Sequence, residues 1–227
     1  MTETRRVFHE ELNELEADVI RLAALASEAI QAGGSALLDF DLAGADEVIS
    51  NDAAIDDLTH SIEDRIYLLM ARQQPMATDL RTLVSLLRII HELERTGDLM
   101  VNVAKATRRL YPHALEPRMR GIIDHMRDQA TAQLKVAIDA FADRDIHRAL
   151  ALKDMDDVMD DLQKELFRVV LSTPATDEAT VQRAVQMALV GRHFERIADH
   201  TVNFGERVCF MVTGHFRSEL SDRDTAG

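Results

Sequence analysis

Eight acidic side chains in this 227-residue chain stand at spacings that can gather a cation. Glu94 and Asp98 are four apart, as are Glu195 and Asp199, and the pairs Asp52/Asp56 and Asp156/Asp160 repeat the interval. On a helix, residues four apart lie one above the other, so each pair offers carboxylate oxygens to a single point. Carboxylates crowded together repel, and each is pushed towards its protonated form unless a cation compensates. All-oxygen ligation suits hard or borderline ions such as Mg, Mn, Ca or Fe, with Zn less preferred when His and Cys are missing.

These pairs also mark a repeat. Glu94-Arg95-Thr96-Gly97-Asp98 returns as Glu195-Arg196-Ile197-Ala198-Asp199 at an offset of 195 − 94 = 101, and Asn102 and Asn203 keep the same register. Asp52-Ala53-Ala54-Ile55-Asp56-Asp57-Leu58 lines up with Asp156-Asp157-Val158-Met159-Asp160-Asp161-Leu162 at 156 − 52 = 104. A long period of this kind describes two copies of one unit. The difference between the two offsets is expected to be absorbed in a shorter loop at Ser172-Thr173-Pro174.

At about 100° per residue, Glu94 falls among Leu83, Leu87, Ile90 and Val101, inside an apolar stripe, with Asp98 at its edge. Glu195 falls likewise among Ala184, Ala188 and Val202, with Asp199 beside it. A charge on a core-facing stripe needs a partner. A cation shared with the neighbouring Asp pair is one solution, and an ion pair with Arg95, Arg196 or another helix is the other. Taken alone, Asp52/Asp56 and Asp156/Asp160 also read as ordinary solvated helix faces.

Other chemistries find less support. Carboxylate-bridged redox enzymes add a Glu-x-x-His pair, whereas His200 directly follows Asp199 and points to another face. Arg95 and Arg196 have the shape to grip phosphate, but the chain has no Gly-rich phosphate loop and a structural salt bridge is the plainer reading. The nine His residues form no cluster at ligand spacing, and no Ser/His/Asp or Cys/His arrangement can be argued.

The elements that must position these groups are helical. Aromatic residues make up 4% of the chain, Trp is absent and Pro occurs 4 times, against 46% hydrophobic and 29% charged residues, a balance typical of a soluble all-α protein. Apolar positions Phe8, Leu12, Leu15, Val19, Leu22, Ala26 and Ile30 outline helix one, which Gly33-Gly34 can bend. Helix two is expected from Ala45 to Arg72 and ends at Gln74-Pro75. Thr78 or Asp79 is expected to cap helix three, which runs to Leu110. Tyr111-Pro112 to Pro117 is the clearest interruption and is taken as the module boundary. Met119, Ile122, Met126, Ala130, Leu134, Ala137 and Phe141 outline helix four; helices five and six are expected over 145–171 and 177–213. The sequence thus divides into residues 1–111, 115–216 and a polar tail 217–227.

A net charge of −14 argues against nucleic acid and anionic membranes as partners and towards cations or basic protein surfaces. The single Cys209 cannot form an intrachain disulfide and reads as a small buried hydrophobe in a reducing compartment. Neither a signal-peptide core nor an uncharged run of about 20 apolar residues is found, so a cytoplasmic location without membrane insertion is expected.

Three stretches resemble the PhoU family of phosphate-signalling regulators in its actinobacterial form: Arg72-Gln73-Gln74-Pro75-Met76-Ala77-Thr78-Asp79-Leu80-Arg81, Glu94-Arg95-Thr96-Gly97-Asp98, and Phe194-Glu195-Arg196-Ile197-Ala198-Asp199-His200 through Asn203. The resemblance spans nearly the whole chain and implies an all-α fold of two pseudo-symmetric three-helix bundles. It further implies metal ions (Fe, Mn, Mg or Zn) at Asp52, Asp56, Glu94, Asp98, Asp156, Asp160, Glu195 and Asp199. By the same likeness the protein restrains phosphate uptake and the starvation response without catalysis, contacting the ATPase subunit of a phosphate ABC transporter and a sensor histidine kinase. A homodimer is expected of an adaptor with two partners. Thr96 and Met159 depart from the family pattern at apolar positions, and neither removes a ligand. The alternatives are a carboxylate-bridged metalloenzyme and a purely structural protein whose acidic faces are only solvated.

Overall fold

Apolar residues recurring at intervals of three and four, with proline confined to the junctions, propagate as long amphipathic helices. The computed structural model describes residues 3–113, 115–172, 174 and 177–216. Six helices follow in order: α1 (Glu3–Asp39), α2 (Leu42–Gln73), α3 (Thr78–Leu110), α4 (Pro117–Asp143), α5 (Ile146–Ser172) and α6 (Glu178–Thr213), with no strand among the described residues. Among the described residues no helix is long and apolar enough to cross a membrane.

The first three helices pack on one another, as do the last three, and the two bundles meet where α3 lies against α6 and α1 against α4. Arg81 at the start of α3 donates to the Met211 carbonyl near the end of α6 (3.1 Å), and Arg109 at the end of α3 reaches Gln186 near the start of α6 (3.3 Å). These two helices are therefore antiparallel. One continuous core runs through both bundles, from Leu15, Leu22 and Ile30 on α1 to Phe194 and Phe204 on α6. The repeat extends to the first helices at the 104 offset. Leu15, Val19, Leu22, Ala26 and Ile30 occupy the places of Met119, Ile123, Met126, Ala130 and Leu134, and all ten side chains are buried.

Several details differ from the sequence expectation. Gly33-Gly34 does not interrupt α1; these glycines allow close approach instead, since a Cβ at 33 would stand 2.5 Å from Met100 Cε and one at 34 would stand 2.7 Å from Arg127. Thr78 and Asp79 do not cap α3: Thr78 is already its first residue, and Ala77, with φ of 50°, holds the cap position without a side-chain bond. A non-glycine residue in that region is strained. Caps of the usual kind occur at Asp41, Glu116 and Asp177, whose side chains accept from the first turns of α2, α4 and α6.

The unequal offsets are absorbed by helix α5, not by the following loop. The counterpart of Gln73 is position 73 + 104 = 177, yet α5 ends at Ser172, while 173–177 is five residues against four for 74–77. The expected tail at 217–227 lies outside the described residues.

Candidate metal centres

The four acidic positions of the first half lie on the facing sides of α2 and α3. Asp52, Asp56 and Glu94 are half-buried and Asp98 is exposed. Burial raises the Asp52 pKa from 3.8 to about 6, with the charges of Asp56 and Asp98 adding to the rise and Lys105 opposing it. Glu94 is raised by burial, then by Asp98 and Asp56, against a smaller lowering from Arg95 and His91. The mutual effects of Asp52 with Asp98 and of Glu94 with Asp56 cross from one helix to the other, so the four carboxylates share one electrostatic site.

Gly97 shapes that site. A Cβ there would sit 3.0 Å from both Asp52 Oδ1 and Ile55 Cδ1, so the missing side chain is what allows α2 to bring Asp52 against α3. A cleft of about 490 Å³ opens from this point along α1 and α2, walled by Leu25, Ala29, Val48 and Ile55, with Glu28 and Glu47 also lining it.

The second half repeats the plan on α5 and α6. Asp156 and Glu195 are buried, Asp160 is half-buried and Asp199 is exposed. Partial desolvation by the side chains packed around its carboxyl raises Asp199, with Asp156 and Asp160 adding to it and Arg192 and His200 opposing it. Glu195 is raised by burial and by Asp199, lowered by Arg192 and raised again by Asp160. Here cations of the protein itself already sit on the carboxylates. Lys153 Nζ donates to Asp156 Oδ2 at 2.7 Å, and Arg192 is hydrogen-bonded to Glu195. The opposite oxygens, Asp156 Oδ1 and Glu195 Oε2, are buried without a partner.

The eight sequence candidates thus fall into two sets of four, whose members act on one another's charge between α2 and α3 and between α5 and α6. Among the described residues, however, no three acidic, His or Cys side chains stand close enough to enclose an ion as placed. The donor chemistry, the cradle at Gly97 and the two orphaned oxygens nevertheless fit a hard cation drawn in between facing helices. When bound, such an ion would neutralise the repelling carboxylates and tie α2 to α3, or α5 to α6.

The remaining motif residues have other duties. Arg95 and Arg196 are exposed. His200 does not face its cluster's carboxylates: its Nδ1 lies 2.6 Å from Glu92 Oε2, which also accepts from Asn203 Nδ2 at 3.3 Å, joining α3 to α6 across the seam. Thr96 is buried and places its hydroxyl on the Glu92 carbonyl, 2.9 Å away, so an alcohol is accommodated where an aliphatic side chain was expected. Met159 is fully buried in its apolar slot. Sequence reasoning missed Glu92, Lys153 and Arg192. The last two could have been found by comparing the halves in register, because Ile49 and His91 hold their places in the first half (153 − 104 = 49; 192 − 101 = 91).

Comparison with known proteins agrees with this architecture. The PhoU domain family model matches twice, over residues 19–107 and 123–208. A phosphate-specific transport system accessory protein, PhoU homolog 1 of Mycobacterium tuberculosis, is 38% identical over 216 residues, which is 95% of this chain and 97% of the relative. The crystal structure of PhoU from Pseudomonas aeruginosa superposes with a TM-score of 0.86 at 28% identity, covering 92% of this chain and 100% of that one. That of the phosphate transport system regulatory protein PhoU from Streptococcus pneumoniae gives 0.83 at 27% identity, with 92% and 98% covered.

Proposed function

The chain belongs to the PhoU family, and from that premise we propose that it is a non-enzymatic, metal-binding regulator of phosphate transport. It acts in the cytoplasm as a homodimer that touches the ATPase subunit of a phosphate ABC transporter and a sensor histidine kinase. By this contact it holds back uptake and the starvation response when phosphate is plentiful. What supports the reading is that four carboxylates act on one another between the second and third helices of each bundle, and that Asp156 Oδ1 and Glu195 Oε2 are buried without a partner, in a chain whose relatives are accessory proteins of phosphate transport. The clusters supply charge and oxygen donors. Of the two His residues that act on these carboxylates, His200 is engaged by Glu92 and His91 lies 3.9 Å from Glu63, so neither is given over to its cluster as an oxygen-activating centre would need.

The test pairs elemental analysis with capture of the transporter ATPase by the full chain. Wild type should carry metal and retain the ATPase, whereas Glu94→Ala/Asp98→Ala should lose metal from the first cluster. Metal content unchanged in the double variant would sink the assignment of that cluster. Failure of the wild-type chain to retain the ATPase would sink the adaptor role.

A further inference from the structure

We propose that the two acidic clusters are unequal towards cations: the first takes a divalent ion directly, while the second carries Lys153 and Arg192 as tethered counter-ions that an incoming metal must displace. The proposal deepens the metal-binding reading above and rests on it.

Three observations in register support the asymmetry. The first is charge. Lys153 Nζ is 2.7 Å from Asp156 and Arg192 is bonded to Glu195, whereas the same positions of the first half are Ile49, which has no charge, and His91, whose Nε2 lies 3.9 Å from Glu63. A metal and an ammonium cannot occupy the same oxygen, and the guanidinium holds its carboxylate by a charge-assisted bond. Lys105 acts on Asp52 only at longer range, and its counterpart in the second half is Glu206 (206 − 101 = 105).

The second is access. In the first half a cleft of about 490 Å³ leads past Leu25 and Ala29 to Asp52. Their counterparts are Gln129 and Gln133 (129 − 104 = 25; 133 − 104 = 29). Gln129 bonds the Met155 carbonyl at 2.7 Å, and Gln133 is fully buried, so longer polar side chains stand where the first half is open. The third is approach. Gly97 lets Asp52 Oδ1 lie against α3, where a Cβ would stand 3.0 Å from it, and Ala198 carries a Cβ at the equivalent position.

The tethered cations satisfy only half of each carboxylate, because Asp156 Oδ1 and Glu195 Oε2 remain unpaired and buried. The second cluster therefore retains affinity for a metal, weakened by the two bonds that must break. Charge-assisted bonds of this kind correspond to roughly a tenfold or greater loss in affinity.

The experiment is equilibrium dialysis of the full chain against Mn²⁺, with manganese counted by elemental analysis after the protein has been stripped with chelator. Wild type is expected to bind in two classes separated by about tenfold or more, with Glu94→Ala/Asp98→Ala removing the tight class and Glu195→Ala/Asp199→Ala the weak one. Transplanting the first-half residues, Lys153→Ile/Arg192→His, should draw the weak class towards the tight one. The mirror exchange, Ile49→Lys/His91→Arg, should weaken the tight class, and it serves if the first exchange fails to fold. Two equal classes unmoved by either exchange would overturn the asymmetry and leave the metal-binding reading standing. No manganese bound by wild type at all would overturn the metal-binding reading itself.

Discussion

Replacing Asp52 with Asn should stabilise the metal-free protein at neutral pH, although it removes a proposed ligand. Burial and the charges of Asp56 and Asp98 raise the Asp52 pKa from 3.8 to about 6. A carboxyl group raised in this way contributes its full stability below the unfolded value, near 3.8, and loses it as pH rises through about 6. Above that point the ionised group is a net cost to the fold. A shift of about two units corresponds to about 3 kcal/mol, but Asp52 is only half-buried, and screening by solvent reduces this to about 1 kcal/mol. Asn keeps the shape against Gly97 and drops the charge. For a chain of this length the gain corresponds to a Tm increase of about 2–4 °C.

Thermal melts with excess EDTA, from pH 7.5 down to pH 4, are the assay. The advantage of Asp52→Asn should be full at pH 7.5 and shrink steadily as pH falls through 6 towards 4. Adding Mn²⁺ at pH 7.5 should reverse the order, because a ligand bound to the folded state stabilises it and wild type gains more of that effect. An Asp52→Asn protein that is no more stable than wild type in EDTA at pH 7.5, or whose advantage does not change with pH, would refute the electrostatic argument.

Four further substitutions test packing and the seam. Gly205→Val should cost about 1–3 kcal/mol in urea unfolding, since a Cβ at 205 meets Leu152 Cδ1 at 2.5 Å and the Ala149 carbonyl oxygen at 2.8 Å; Gly121→Ala, with nothing within 4 Å of its Cβ, should gain about 0.5–1 kcal/mol. Glu92→Ala removes the acceptor of His200 and Asn203 and should cost about 1–3 kcal/mol, read as faster amide exchange in α3 and α6 along the seam. Phe194→Ala empties a fully buried position beside the second cluster and should lower stability by about 3–5 kcal/mol in the same urea assay.

The helices were legible because their signal is local: a three-four rhythm of apolar residues survives whatever packs against it. The acidic pairs stood out in the sequence for a different reason. Two halves in register made Glu94/Asp98 and Glu195/Asp199 hard to dismiss as scattered surface charge. What escaped depended on the third dimension. Gly33 and Gly34 read as a bend, yet Met100 and Arg127 from other helices use the space they leave. The cap of α3 was misplaced because the Gln74–Ala77 turn adopts left-handed backbone at two non-glycine residues, which no local preference anticipates. Nothing local marks Glu92, whose role exists only where α6 brings His200 to it.

The geometry of α3 has one more consequence. Glu92 and Glu94 are two positions apart, so their side chains leave the rod on nearly opposite sides, one to the α6 seam and the other to the acidic site beside α2. The rod that forms one wall of a charge-bearing chamber is also the keel on which the halves are joined. Its acids and its seam contacts are borne by one helix and share its placement. Glu92 holds His200 and Asn203 from that same rod, so a push on its acidic side bears directly on the seam.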